Sequence, residues 1–231
     1  MFYFDFINPY IIYFFFLFFA IFTIYSIFHH QDFFRKNQKV ILFIVTLLLI
    51  WSQGMRYIGV AIRDGFDVTE DLPFYICRFS GFVLMLYALT GNKKLESFLF
   101  YWGATGLAGI LYPNGAMSNI ANLTETFYID HFLLTVTPFY LVVYRGYRPS
   151  FKDVVYITGF MSVLLLAFIP INSVLHSDYF YLTRQSIVGE IFPGLPVIVF
   201  VLIHCTTAFI FFSIYYLLFS KKNYSLVKVI K

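Results

Sequence analysis

A series of long apolar runs, separated by short polar segments, constrains this chain most. The runs are roughly 18 to 25 residues long, the length of helix that crosses about 30 Å of hydrocarbon. Of the 231 residues, 60% are hydrophobic and only 12% are charged. A soluble domain carries about a quarter charged residues. The sequence therefore predicts an all-α polytopic membrane protein whose residues 1–231 form a single transmembrane domain.

Seven transmembrane helices are predicted from the ends of the apolar runs. Their approximate bounds are 9–28, 39–60, 72–90, 95–112, 126–144, 154–171 and 192–219. The last helix is entered through Pro193 and Pro196, since proline is tolerated in a first helical turn. Gly103, Gly106 and Gly109 give the fourth helix a small face, which is typical of close helix packing in membranes.

The basic residues are sorted between the two sets of loops. Twelve of the 16 lie in one set: Arg35, Lys36, Lys39, Lys93, Lys94, Arg145, Arg148, Lys152, Lys221, Lys222, Lys228 and Lys231. Because basic loops face the cytoplasm, we expect the N-terminus outside and the C-terminus in the cytoplasm. The net charge of +4 thus reflects topology, and no nucleic-acid partner is expected. We expect a multi-pass protein of the cell membrane, in a bacterium the plasma membrane.

Ionisable residues at membrane depth are costly and are candidates for function. Apart from the cytoplasmic loops, such residues gather near the predicted outer face. They are Arg56, Arg78, Asp130, His131, Asp178 and Arg184. The sequence therefore predicts that any site lies on the outer side of the protein.

Cys77 and His131 are the strongest candidates for chemistry. Each lies about five residues inside the predicted start of its helix, so both are expected roughly 7–8 Å below the outer boundary. Arg78 follows Cys77 directly, and a neighbouring positive charge or imidazole favours the nucleophilic thiolate. The alternative is that Cys77 packs between helices and His131 bonds to a neighbouring helix. Asp130 is adjacent in sequence and points about 100° away, so a carboxylate from elsewhere, such as Asp178, could orient His131 instead.

Other reactive patterns favour structural roles. His204 and Cys205 are neighbours on one helix and diverge by about 100°, so they do not form a ready pair. His29 and His30 lack further ligands in their loop, and no nucleotide, metalloprotease or hydrolase motif occurs. We therefore predict no metal and no cofactor.

Several segments together carry a family resemblance. They are Leu72-Pro73-Phe74-Tyr75-Ile76-Cys77-Arg78-Phe79-Ser80, Tyr101-Trp102-Gly103, Tyr112-Pro113, His131, Tyr147-Arg148-Pro149, Asn172 and Asp178-Tyr179-Phe180-Tyr181-Leu182. In this order the chain resembles the YwaF-type family of bacterial integral membrane proteins, which is similar to eukaryotic transmembrane protein 164. The resemblance spans about residues 72–215. Tyr75 stands where the family has His, and Arg78 stands where it has Asp.

The resemblance implies a phospholipid acyltransferase in which Cys77 carries the acyl group and His131 acts as the general base. We accordingly hypothesise a transacylase acting on phospholipid or lipoprotein acyl chains at the outer leaflet. The residues predicted to contact its substrate are Arg56, Tyr75, Arg78, Asp130, Asp178, Tyr179 and Arg184. Arginine suits this role because its geometry matches phosphate. The alternative hypothesis is a non-catalytic protein that binds lipids or small molecules, a transporter, or a subunit of a complex.

Overall fold

Helices dominate the computed structural model, which describes residues 9–63, 65–111, 124–182, 191–192 and 194–220. The helices are α1 (Pro9–His29), α2 (Gln31–Lys36), α3 (Gln38–Arg63), α4 (Ile76–Thr90), α5 (Glu96–Leu111), α6 (Thr124–Tyr140), α7 (Phe151–Leu175) and α8 (Val197–Phe219). A π-helical turn, Leu141–Arg145, continues α6, and 3-10 turns occur at Lys93–Leu95 and Tyr179–Tyr181. Strands are absent from these described ranges.

Each of the predicted membrane-spanning segments coincides with a helix. Within the described residues, four apolar helices are long enough to cross a membrane: Gln38–Ile62, Thr126–Arg145, Phe151–Leu175 and Val197–Phe219. Tyr13–His29 and Ile76–Thr90 are apolar but shorter. The prediction of a multi-pass helical membrane protein is therefore confirmed, while the count of seven spans and their orientation stay predictions.

Two helices begin later than the sequence predicts. The third predicted span starts at residue 72, whereas α4 starts at Ile76. Pro73 restricts the residue before it to extended conformations, and the Leu72 N–H donates to the Tyr179 hydroxyl at 3.1 Å instead of entering a helix. The last helix starts at Val197, with Pro196 as its extended N-cap residue.

The described chain divides into two compact units. The first contains Met1–Gly65, Cys77–Tyr147 and Lys231, and the second contains Phe66–Ile76 and Arg148–Ile230. The sequence predicts a single transmembrane domain for residues 1–231, and this stays a prediction.

Helix α6 is the core of the first unit. Within this unit it packs against α1, α3 and α5, and 78% of its membrane-length segment is buried, compared with 22% for that of α3. The polar side chains of α6 explain this position, because a lipid-facing helix would leave them without partners. The buried polar residues of α6 are Thr126, Asp130, His131, Thr135 and Thr137.

The glycines of α5 bring its backbone close to α6, as their small face predicts. A Cβ at Gly103 would lie 3.0 Å from the Leu134 carbonyl oxygen. A Cβ at Gly106 would lie 2.8 Å from the His131 carbonyl oxygen and 2.9 Å from the Thr135 amide nitrogen. Only glycine permits this approach without moving a backbone, so α5 fixes the position of α6 at the turn that carries His131.

The second unit contains a clasp around Asn172 near the end of α7. The Asn172 amide group donates to the Tyr179 carbonyl at 2.9 Å, and its oxygen accepts from the Tyr179 N–H at 3.0 Å. The Tyr179 hydroxyl in turn donates to the Val68 carbonyl at 2.6 Å. These bonds tie the segment that precedes α4 to the end of α7.

A buried ion pair joins α5 to the turn after α6. Arg145 Nε donates to Glu96 Oε1 at 3.2 Å, and the Tyr87 hydroxyl donates to the same oxygen at 3.3 Å. The Glu96 side chain is only 7% exposed, so its carboxylate depends on these two donors.

We expect Arg145→Met to destabilise the protein by about 2 kcal/mol, because it removes a donor from the buried Glu96 carboxylate, while Arg145 itself is 24% exposed. Thermal unfolding in detergent would measure the loss. The double variant Glu96→Gln/Arg145→Met serves as the control and should recover much of the stability. Equal melting temperatures for Arg145→Met and the unchanged protein would contradict a stabilising role for the pair.

Candidate active site

Cys77 is the second residue of α4 and is half-buried. The late start of α4 places it in the first helical turn rather than five residues inside a helix. Side chains in a first turn lie beside backbone N–H groups that have no partner within the helix. Cys77 therefore lies at the electropositive end of α4.

His131 is held in one orientation by the residue one turn before it in α6. Its Nδ1 lies 2.7 Å from the Phe127 carbonyl oxygen, and the Phe127 ring is tilted against the imidazole with 3.9 Å between centroids. A carbonyl oxygen only accepts hydrogen bonds, so Nδ1 carries a proton. The orienting group is thus a main-chain carbonyl, whereas the sequence suggested a carboxylate from elsewhere, such as Asp178.

The side chains of Cys77 and His131 are neighbours that interact electrostatically. Since Nδ1 is bonded to Phe127, the nitrogen that faces the thiol is Nε2. In a neutral imidazole with its proton on Nδ1, Nε2 has a free lone pair and accepts a proton. The arrangement has the order thiol, imidazole and orienting group found around activated nucleophiles.

Gly109 of α5 makes room for the imidazole. A Cβ at this position would overlap the Cδ2 and Nε2 atoms of His131. The same edge of the ring that faces the thiol therefore lies directly on the α5 backbone. Packing and hydrogen bonding together leave His131, which is 5% exposed, with little rotational freedom.

Two arginines share the electrostatic surroundings of Cys77. Both Arg56 of α3 and Arg78 of α4 interact electrostatically with the thiol, and they also repel each other. Each is half-buried, and Asp130 offsets part of the repulsion. Two like charges at partly buried positions favour binding of an anion.

Asp130 faces α3. Ser52 Oγ donates to its Oδ1 at 2.7 Å, and Gln53 Nε2 donates to its Oδ2 at 2.8 Å. The structure therefore brings Arg56, Arg78 and Asp130 together with Cys77 and His131. It adds Ser52, Gln53 and Phe127, which were not predicted from the sequence, although polar Ser52 and Gln53 in an apolar span were a usable signal. Gly109 was predicted only as part of a packing face.

The sequence model of the TMEM164 family matches residues 4–216. The chain belongs to the TMEM164 family. This confirms the resemblance to transmembrane protein 164 seen in the short motifs. No curated protein and no solved structure matches the chain significantly.

Three other predicted contact residues of this TMEM164-family protein lie in the second unit. Tyr179 is fully buried and uses both its main chain and its hydroxyl in the Asn172 clasp. Tyr75 is buried and packs its ring against those of Tyr179 and Tyr181. Asp178, half-buried, is the N-cap residue of the Tyr179–Tyr181 turn, and its main-chain carbonyl accepts from the Tyr181 N–H at 3.0 Å. These contacts favour structural roles for Tyr75 and Tyr179, and Arg184 lies outside the described residues.

The side chains of His204 and Cys205, the second Cys–His pair of this TMEM164-family protein, have different partners. His204 Nδ1 donates to the Phe200 carbonyl at 2.8 Å, while Cys205 Sγ lies 3.1 Å from Ser162 Oγ on α7. Within the described ranges, no three His, Cys, Asp or Glu side chains are grouped closely enough to hold a metal ion.

Proposed function

We propose that this protein is a membrane-embedded acyltransferase that carries an acyl chain on Cys77. The observation that carries this proposal is the close pairing of the Cys77 thiol with an imidazole whose Nδ1 proton is held by the Phe127 carbonyl. A neutral imidazole in this tautomer is suited to take the thiol proton. Membership of the TMEM164 family supports the choice of an acyltransferase, and Cys77 and His131 supply the nucleophile and the base.

In the first half-reaction, Cys77 Sγ attacks the carbonyl carbon of an acyl ester while its proton passes to His131 Nε2. The ester C–O bond then breaks and a thioester C–S bond remains. The departing alkoxide takes the proton from Nε2 and leaves as an alcohol. In the second half-reaction an acceptor hydroxyl attacks the thioester carbonyl, its proton passes to Nε2, and the released thiolate takes that proton back.

Arg56 and Arg78 are proposed to hold the phosphate of a phospholipid. Their mutual repulsion is relieved when an anion lies between them, and guanidinium groups match phosphate geometry. A phosphate there keeps the ester linkages of the same lipid near the thiol. Arg78 stands where the family has Asp, so in this chain the position supplies a positive charge beside the nucleophile.

The site is proposed to act on the outer leaflet. In the predicted topology of seven spans, Cys77, at the start of α4, lies on the side opposite the loops that hold 12 of the 16 basic residues. Basic loops face the cytoplasm in multi-pass proteins. This assignment needs seven spans with the N-terminus outside, and labelling of single-cysteine loop variants in whole cells tests it directly.

Capture of the acyl-enzyme tests the proposed function. The full chain is reconstituted in vesicles of phosphatidylglycerol with radiolabelled acyl chains, then separated from lipid under denaturing conditions. We expect label on the protein that neutral hydroxylamine removes, because hydroxylamine cleaves thioesters, and that maps to the peptide containing Cys77.

The Cys205→Ser variant is the matched control, since the chain has only two cysteines. It should retain the label. Lipid that binds to the protein without any covalent label on Cys77 would overturn the proposal and favour the non-catalytic alternative.

A further inference from the structure

Gln53 carries a buried acceptor that the proposed chemistry does not use. Its side chain is 6% exposed, and its Oε1 has no hydrogen-bond partner among the described residues. The carboxylate of Asp130 only accepts, so the amide nitrogen faces Asp130 and Oε1 points away from it. A buried acceptor without a partner is costly, and its presence near a site indicates a ligand that donates to it.

The position of Gln53 ties it to the Cys77 site. Gln53 lies three residues before Arg56, so the two side chains share one face of α3. Its Nε2 lies 3.5 Å from a Cβ built on Gly81, which is one turn beyond Cys77 in α4. Its other neighbour, Asp130, precedes His131 in α6. Gln53 therefore lies among the three helices that carry Arg56, Cys77 and His131.

The distance along the α3 axis between Gln53 and Arg56 matches a distance within a phospholipid. Three residues of helix rise by about 4.5 Å. The glycerol backbone of a phospholipid places a similar distance between its phosphate and the oxygen on its central carbon. A lipid with its phosphate at Arg56 and Arg78 thus brings a free glycerol hydroxyl to the level of Gln53.

We infer that Gln53 Oε1 accepts the hydrogen bond of the acyl acceptor's hydroxyl and so selects a hydroxyl-bearing lipid for the second half-reaction. This inference rests on the proposed function. The hydroxyl donates to Oε1 on arrival and orients its oxygen toward the thioester carbonyl. It then gives its proton to His131 Nε2 as the C–O bond forms and the C–S bond of Cys77 breaks. Gln53 acts as a specificity-determining residue and exchanges no proton.

The test separates the two half-reactions. The full chain in vesicles is first loaded from radiolabelled phosphatidylglycerol and is then chased with monoacyl phosphatidylglycerol. We expect Gln53→Met to raise the KM for this acceptor about three- to tenfold, the effect of one hydrogen bond, and to change the acceptor KM more than the rate of loading. Gln53→Asn, which withdraws the oxygen by one methylene group, should give a smaller increase.

Ser52→Ala is the matched control, because it removes another donor to Asp130 without touching Oε1. Its acceptor KM should equal that of the unchanged protein. A deoxy analogue of the acceptor, used as an inhibitor, gives a second measurement. It should bind more weakly than the hydroxyl lipid to the unchanged protein and equally to Gln53→Met.

An unchanged acceptor KM in Gln53→Met, or the same increase in Ser52→Ala, would overturn the inference while leaving the proposed function intact. Failure of the unchanged protein to load any acyl group on Cys77 would instead overturn both. The loading step thus distinguishes the two failures.

Discussion

Replacing Cys77 with alanine is expected to abolish acyl transfer, with a loss of about a thousandfold or more. The reason is that the acyl group has no other described thiol beside an imidazole, since Cys205 bonds to Ser162 instead. Transfer of a radiolabelled acyl chain between phospholipids in vesicles measures the effect. The thermal unfolding of the variant should stay close to that of the unchanged protein, because the side chain is small and half-buried.

Cys205→Ala is the control for this experiment. Cys205 and Cys77 are both half-buried, so the two variants remove the same group from positions of similar exposure. Transfer by Cys77→Ala within about tenfold of the rate of Cys205→Ala would show that the reaction does not pass through a Cys77 thioester.

The second large effect is expected for Gly109→Ala. The added methyl group would overlap the His131 edge that faces Cys77, so either the imidazole rotates or α5 moves away. Either change breaks the contact between thiol and base. Because general-base catalysis contributes about 10²–10⁴-fold, we expect loading of Cys77 to fall by about a hundredfold.

Alkylation of Cys77 by iodoacetamide at neutral pH gives a readout independent of lipid turnover. In a Cys205→Ala background a single thiol remains, and its reaction should slow in Gly109→Ala because the base no longer assists thiolate formation. Gly54→Ala is the matched control, since a Cβ at Gly54 meets nothing within 4 Å. Equal alkylation rates for the two glycine variants would contradict the role assigned to His131.

Much of the fold is predictable from the residues because the bilayer imposes a single solution on long apolar runs. Each predicted span coincides with a helix, since no other backbone structure within one segment satisfies its own hydrogen bonds in hydrocarbon. The errors lie at the ends. Pro73 and the bond between Leu72 and Tyr179 delay α4, and the partner of that bond lies far away along the chain.

The candidate site was predictable in part. Cys77, His131, Arg56, Arg78 and Asp130 were found because reactive or charged side chains are rare in apolar helices. Tyr75 and Tyr179 were chosen from a motif, and their buried ring and clasp contacts favour structural roles. Gln53 was passed over, although its i, i+3 spacing from Arg56 was visible.

Composition and the order of residues were sufficient for the class of protein, the positions of its helices and the choice of one thiol and one imidazole as candidates. They were not sufficient to bring those groups together, because successive residues turn by about 100° around a helix and span boundaries are uncertain by a few residues. The close approach of α5 to α6 at Gly106 and Gly109 sets the rotation of α6. The Phe127 carbonyl then selects the imidazole tautomer, and so determines which nitrogen meets the Cys77 thiol.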